Sequence, residues 1–74
     1  MPKKRYLVAH WKNDGEHSRE NPNYYFGPMN YFVNSLNDAD PNRCYTRLDM
    51  ALKECSKACT RYWWADVAEV KEGA

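Results

Sequence analysis

The chain has no run of about 18 apolar residues, and so no stretch that reads as a transmembrane helix. It has almost no net charge either. Eleven Lys and Arg against ten Asp and Glu leave +1 at pH 7, too little field to draw in nucleic acid or an anionic membrane, and too little acid for a DNA mimic. Met1 to Arg5 is basic, but the apolar stretch after it, Tyr6 to Trp11, is too short and mixed for a signal-peptide core. There are three cysteines, an odd number that suits no secreted disulfide framework. These absences together lead us to expect a cytoplasmic protein that does not contact membrane. Repeats, low-complexity segments, a helix-turn-helix, an RNP-type motif and a strong catalytic, metal or nucleotide signature are all missing. Seventy-four residues make a single domain, residues 1–74. A domain of that size buries only about 60% of its unfolded surface and has little room to enclose a substrate. The expectation is no enzyme and no cofactor.

The feature around which the chain is organised is Thr46 to Tyr62, TRLDMALKECSKACTRY. At 100° per residue, Leu48, Ala51, Leu52, Cys55, Ala58, Cys59 and Tyr62 fall in an arc about 120° wide, with every charge outside it. Thr46 stands at the N-cap position, and Asp49 three residues later makes a T-x-x-D capping box. Neither Gly nor Pro interrupts the run. This predicts one amphipathic helix, with Leu52 central in its buried stripe.

The remaining segments read as its cover. Residues 5–12, RYLVAHWK, alternate with Leu7, Ala9 and Trp11 on one face and Tyr6, Val8 and His10 on the other. That is a strand, with the Leu7 face expected against the helix. Residues 13–23 are a long polar loop with Asp14-Gly15 and Asn21-Pro22 turn signals. Tyr24-Tyr25-Phe26 is a short second strand. Met29, Phe32, Val33 and Leu36 have helical spacing, but Asn30, Asn34 and Asn37 are poor helix formers and Tyr31-Phe32-Val33 favours a strand. The balance predicts a third strand over residues 30–34, then a turn across 37–42. Residues 63–72, WWADVAEVKE, form a closing strand that pairs with the first. The predicted fold class is α+β, a small antiparallel sheet of three to four strands with one amphipathic helix packed on one face. Eleven aromatics supply the contact area so small a core requires.

Three constellations could carry chemistry. Cys55 and Cys59 lie four apart on the helix, and with Cys44 and His10 or His17 they would make up a Cys3His zinc set. Both helical cysteines lie within the apolar arc, so core packing is the stronger reading, with no metal. An exposed loop is the better account of His17. Tyr24, Tyr25, Tyr31, Trp63 and Trp64 would form a base-stacking surface if they shared the sheet face away from the helix. Nucleic acid is therefore an alternative partner. The basic start Lys3, Lys4 and Arg5 reads as a solubilising terminus. Finally, Lys53, Lys57 and Arg61 recur every four residues as a basic ridge with Met50 upon it. Met50 is the one sizeable apolar side chain outside the arc, and it suits an anchor in a protein–protein contact. These four are the expected partner-binding residues.

The layout is a strand, an aromatic strand Tyr24-Tyr25-Phe26-Gly27, the helix entry Arg43 to Ala51, and a closing strand Ala65 to Val70. It resembles that of small phage and prophage accessory proteins, including anti-CRISPR and other anti-defence inhibitors. The resemblance implies a small non-enzymatic inhibitor. Its partner would be a host protein or ribonucleoprotein complex in the bacterial cytoplasm, blocked sterically.

Overall fold

A computed structural model describes residues 4–70. Lys3 of the basic start and Lys71 and Glu72 of the expected closing strand lie outside the described residues. Strands β1 (Arg5–Lys12), β2 (Tyr24–Gly27), β3 (Tyr31–Val33) and β4 (Trp63–Val70) and one helix, α1 (Leu48–Ala58), make an α+β fold. The sheet is antiparallel, in the order β3-β2-β1-β4. β1 lies inside it, paired with β4 along all eight residues and with β2 from Val8 to His10. No helix among the described residues is long and apolar enough to cross a membrane.

The registers sort the side chains onto two faces. Val8 opposes Phe26 and Val67, and His10 opposes Tyr24 and Ala65. These belong to the face that meets α1, where Val8, Tyr45 and Ala51 form a buried cluster bordered by Tyr6, Phe26, Cys55, Ala65 and Val67. The helix therefore packs on the Val8 face, opposite to the Leu7 face expected from the pattern. Leu7 is nonetheless fully buried, because irregular chain between β3 and α1 covers that far face. This segment holds two 3-10 turns, Leu36–Asp38 capped by Ser35 and Pro41–Arg43 capped by Asp40. Leu7, Cys44 and Val70 form the second cluster there, with Tyr25, Tyr31, Val33, Leu36 and Ala39 against it. Tyr31 ties the cover down: its hydroxyl accepts from Asp40 N at 2.7 Å, and the Arg43 guanidinium sits 4.9 Å from its ring centre. Gly27 is where the layers come closest. A Cβ there would lie 2.8 Å from Leu7 Cδ2 and 2.9 Å from Arg43 O.

The helix is shorter than its apolar pattern and rolled relative to it. It does not begin at a Thr46 cap: Arg47 is the N-cap residue and makes no side-chain capping bond. Tyr45 is held by a two-way backbone pairing with Tyr6, N to O at 2.9 Å each way, and this sets where the helix can start. Asp49, the expected capping-box acid, is gripped in a bidentate pair by Arg47 at 3.1 and 3.0 Å. At the other end Thr60 turns the chain. Its N donates to Trp63 O at 2.7 Å, and its hydroxyl accepts from Tyr62 N and Trp63 N.

Of the seven arc residues only Ala51 is fully buried, with Cys55 and Ala58 partly so. Leu48, Leu52 and Tyr62 are 47%, 49% and 66% exposed, so Leu52 is not the centre of the buried stripe. The small side chains let the helix axis come close to Val8 and Val67. Bulky Tyr45 and Phe26 occupy one flank, and the helix is rolled by about 40° on a 100° wheel, toward Glu54 and away from Leu52.

The two leucines separate the core from its edge. Leu7→Ala should cost about 2–5 kcal/mol through lost burial and a residual cavity. Leu52→Ala, measured in dilute solution, should cost less than about 1 kcal/mol. Urea unfolding of both variants checks the pair, and equal losses would mean the helix is seated on its Leu52 side.

Candidate functional site

His10 has both ring nitrogens in hydrogen bonds. It stands on the helix face of β1 where α1 ends, with its ring 5.3 Å from Tyr24, 5.7 Å from Phe26 and 4.8 Å from Trp63. Its Nε2 lies 3.2 Å from the Ala58 carbonyl, which only accepts, so Nε2 carries the proton. Its Nδ1, 2.7 Å from Tyr24 Oη, then accepts from that hydroxyl. The ring thus satisfies one of the helix's last free carbonyls and ties the helix end to the sheet. Burial lowers its pKa, partly opposed by the Ala58 bond, so the neutral form is the native one. The titratable group that meets the ring is the Tyr24 phenol, whose own pKa is raised by burial.

His17 sits in the 13–23 loop, half-buried rather than exposed as expected, 3.0 Å from Asp14 Oδ2. Asp14 Oδ1 accepts from Glu16 N at 2.8 Å and His17 N at 3.0 Å. The Glu16 amide is the main reason its carboxyl titrates well below the usual range, at about 2. The loop crosses the far face, where Arg19 Nε meets Asp66 Oδ2 at 3.0 Å.

The zinc set is split by the sheet. Cys44 belongs to the far-face cluster and Cys55 to the helix-face cluster. Among the described residues no group of three or more His, Cys, Asp or Glu could hold a metal ion. Burial and the neighbouring Cys59 raise the Cys55 thiol to about 11, which keeps it protonated and weakly nucleophilic at neutral pH. Cys59 itself is exposed, contrary to its place in the arc; its Sγ lies 3.6 Å from Ala65 O.

The five aromatics do not form one stacking surface. Tyr24 and Trp63 are on the helix face around His10. Tyr25 and Tyr31 pack into the far-face cluster beneath the 3-10 cover. Only Trp64 is open on the far face, half exposed and edge-on to Trp11 at 6.5 Å.

The basic ridge is broken as well. Lys53 and Lys57 are exposed on α1, and Lys57 Nζ is 3.6 Å from Glu54 Oε1. Arg61 lies past the helix end, in the turn before β4. Met50 joins a different set. With Phe26, Phe32, Tyr45 and Glu54 it lines an open groove of about 400 Å³ between α1 and the β2–β3 hairpin, whose tip Gly27–Asn30 closes one end.

Among the described residues, that tip is where non-glycine residues take a left-handed backbone. Met29 and Asn30 both have positive φ, 58° and 59°. Asn tolerates this region; an unbranched apolar residue does so at a cost of about 1–2 kcal/mol. Met29 is also 92% exposed, with Phe32 beside the groove at 59% and Met50 at 48%. Helical spacing groups Met29 with Phe32, Val33 and Leu36 in the chain and gives no sign of this exposure. No protein-family model, curated protein or solved structure matches this chain.

Because the native state disfavours His10 protonation while the unfolded chain accepts it near pH 6.5, the His10 contribution is complete above that pH. It is lost as pH falls through the lower folded value. Wild-type urea midpoints should decline from pH 7 toward pH 5, and the decline should be shallower in His10→Gln, which keeps a donor for Ala58 O. Parallel profiles would show that His10 does not carry the slope.

Proposed function

We propose that this chain is a non-enzymatic binding protein that grips a protein partner in the groove between α1 and the β2–β3 hairpin. The reading rests on Met29. A large apolar side chain, 92% exposed on a left-handed backbone, contributes little to folding and sits where Gly would be more stable. Exposed methionines make adaptable anchors, and Phe32 and Met50 extend the apolar surface along the groove to the helix. Lys57 and Lys53 follow Met50 along α1 and suit acid flanking an apolar anchor on the partner, where charge sets register and speeds encounter.

Of the four partner-binding residues expected from the sequence, Met50 lines the groove, Lys53 and Lys57 are exposed on the same helix, and Arg61 follows the helix end. The phage-type layout directs the proposal to a host protein or ribonucleoprotein complex in the cytoplasm, inhibited by occlusion. Nucleic acid is the weaker alternative, since the aromatics are divided between two faces.

Met29→Gly distinguishes binding from folding. It should leave unfolding free energy unchanged or raise it by up to about 1 kcal/mol, because the left-handed conformation suits Gly. Immobilised wild type should retain a partner from bacterial lysate that Met29→Gly and Met50→Ala both lose, while Lys4→Glu retains it. Undiminished capture by the two groove variants would place the contact elsewhere. A marked loss of stability in Met29→Gly would give Met29 a folding role instead.

A further inference from the structure

β4 is the longest strand at an edge of the sheet, and it carries neither Pro nor Lys along Trp63–Val70, two residues that commonly protect an open edge. Tyr62 O accepts from Asn13 N on the β1 side at 2.8 Å. By alternation, the backbone groups of Trp63, Ala65, Val67 and Glu69 point away from the sheet. Those of Trp63 are already taken by Thr60, whose N donates to Trp63 O and whose hydroxyl accepts from Trp63 N. Ala65 O has only the Cys59 thiol at 3.6 Å, and Val67 N has the side chain of its neighbour Asp66 at 2.8 Å. The open stretch is therefore Ala65 to Glu69, centred on Val67.

The helix overhangs this same edge with its uncovered apolar side. Met50 and Glu54 face the groove beside β2 and β3, and Ala51 and Cys55 face the sheet. Leu48, Leu52 and Cys59, on the remaining side of the wheel, stand toward β4, as the Cys59 contact with Ala65 confirms. Leu48 and Leu52 are each about half exposed, like Trp64 on the far face of the same strand.

We propose that the occupant of this edge is a second copy of the chain, joined by antiparallel β4–β4 pairing about a two-fold axis at Val67. An axis at Asp66 would set two carboxylates opposite each other, and one at Ala65 would require the Trp63 groups that Thr60 holds. The Val67 axis avoids both. It pairs Val67 with Val67 and Ala65 with Glu69, and the Asp66 cap is replaced by a carbonyl of the second copy. On the far face Trp64 comes beside Ala68 of the second copy, an aromatic–aliphatic cross-strand contact made twice. On the helix face the two Leu48–Leu52 flanks meet over the joint. The charges agree with this register. Glu69 of each copy arrives next to Ala65 of the other, at the end of the edge where the turn holds Arg61. Neither residue is in an ion pair among the described residues, so two opposite-sign contacts form symmetrically.

The area is modest. The half-exposed Leu48, Leu52 and Trp64 offer on the order of 300 Å² per copy, and with the strand edges the pair buries about 1,000 Å² in all, the size of a weak, concentration-dependent contact.

Sedimentation of the wild type from about 10 µM to 1 mM should show a monomer passing to a dimer by mass action. Leu48→Lys with Leu52→Lys, both at exposed positions, should weaken dimerisation at least about tenfold with unchanged circular dichroism. Met50→Lys, on the opposite flank, should not. In a mixed labelled and unlabelled sample, isotope-filtered NMR should show the Trp64 ring near the Ala68 methyl of the other copy. A monomer throughout that range overturns the proposal. So does a dimer unaffected by the leucine variants, one abolished by Met50→Lys, or one without the Trp64–Ala68 contact.

Discussion

Leu7 and Val8 are adjacent residues on one strand, point to opposite faces of the sheet, and are both fully buried. A strand in that position has to be covered twice, and a chain of 74 residues has one helix to do it with. The helix takes the Val8 face. The Leu7 face is closed by irregular chain, which can serve only because its backbone polar groups find partners: Ser35 and Asp40 cap the two 3-10 turns, and Tyr31 accepts from Asp40 N. Gly27 permits the close approach of Leu7 and Arg43 beneath this cover.

The helix is subordinate to the sheet rather than the reverse. Its start is set by the Tyr6–Tyr45 pairing and its end by the Thr60 turn and the His10 bond to Ala58. Its contact residues are small, Ala51, Cys55 and Ala58, so it lies close to β1 and β4 but leaves its larger apolar side chains outside. In a domain near the lower size limit, shape complementarity at the seam outweighed maximal burial of leucine.

Two apolar surfaces result, one on either side of the helix. The groove beside the β2–β3 hairpin carries the strained, exposed Met29, and supports the reading as a partner-binding protein. The overhang above β4 adjoins a stretch of edge backbone that, among the described residues, pairs with no further strand and is centred on Val67, and supports self-association. They share no residue, so a partner in the groove and a second copy on the edge are compatible, and the pair would present two grooves.

Much of the layout was legible in the chain. Strict alternation over Arg5–Lys12 and the aromatic run after the loop marked strands at their observed places, and Tyr31-Phe32-Val33 outweighed the helical spacing around it because Asn-rich flanks oppose a helix. Alternation also told correctly which residues share a face. Met50 was recognisable as an apolar residue outside the helix's buried stripe, whereas Met29 was not, since a spacing rule registers hydrophobicity but not the left-handed turn that lifts a side chain into solvent. The sequence by itself determined the elements, their order and the two-sided partition of each strand, because period 2 and period 3.6 are properties of the local backbone. Only the tertiary structure decided which face met the helix, how far the helix was rolled, and which cysteines, aromatics and cations became neighbours. Those outcomes depend on side-chain bulk competing for a shared space, and no local period records that competition.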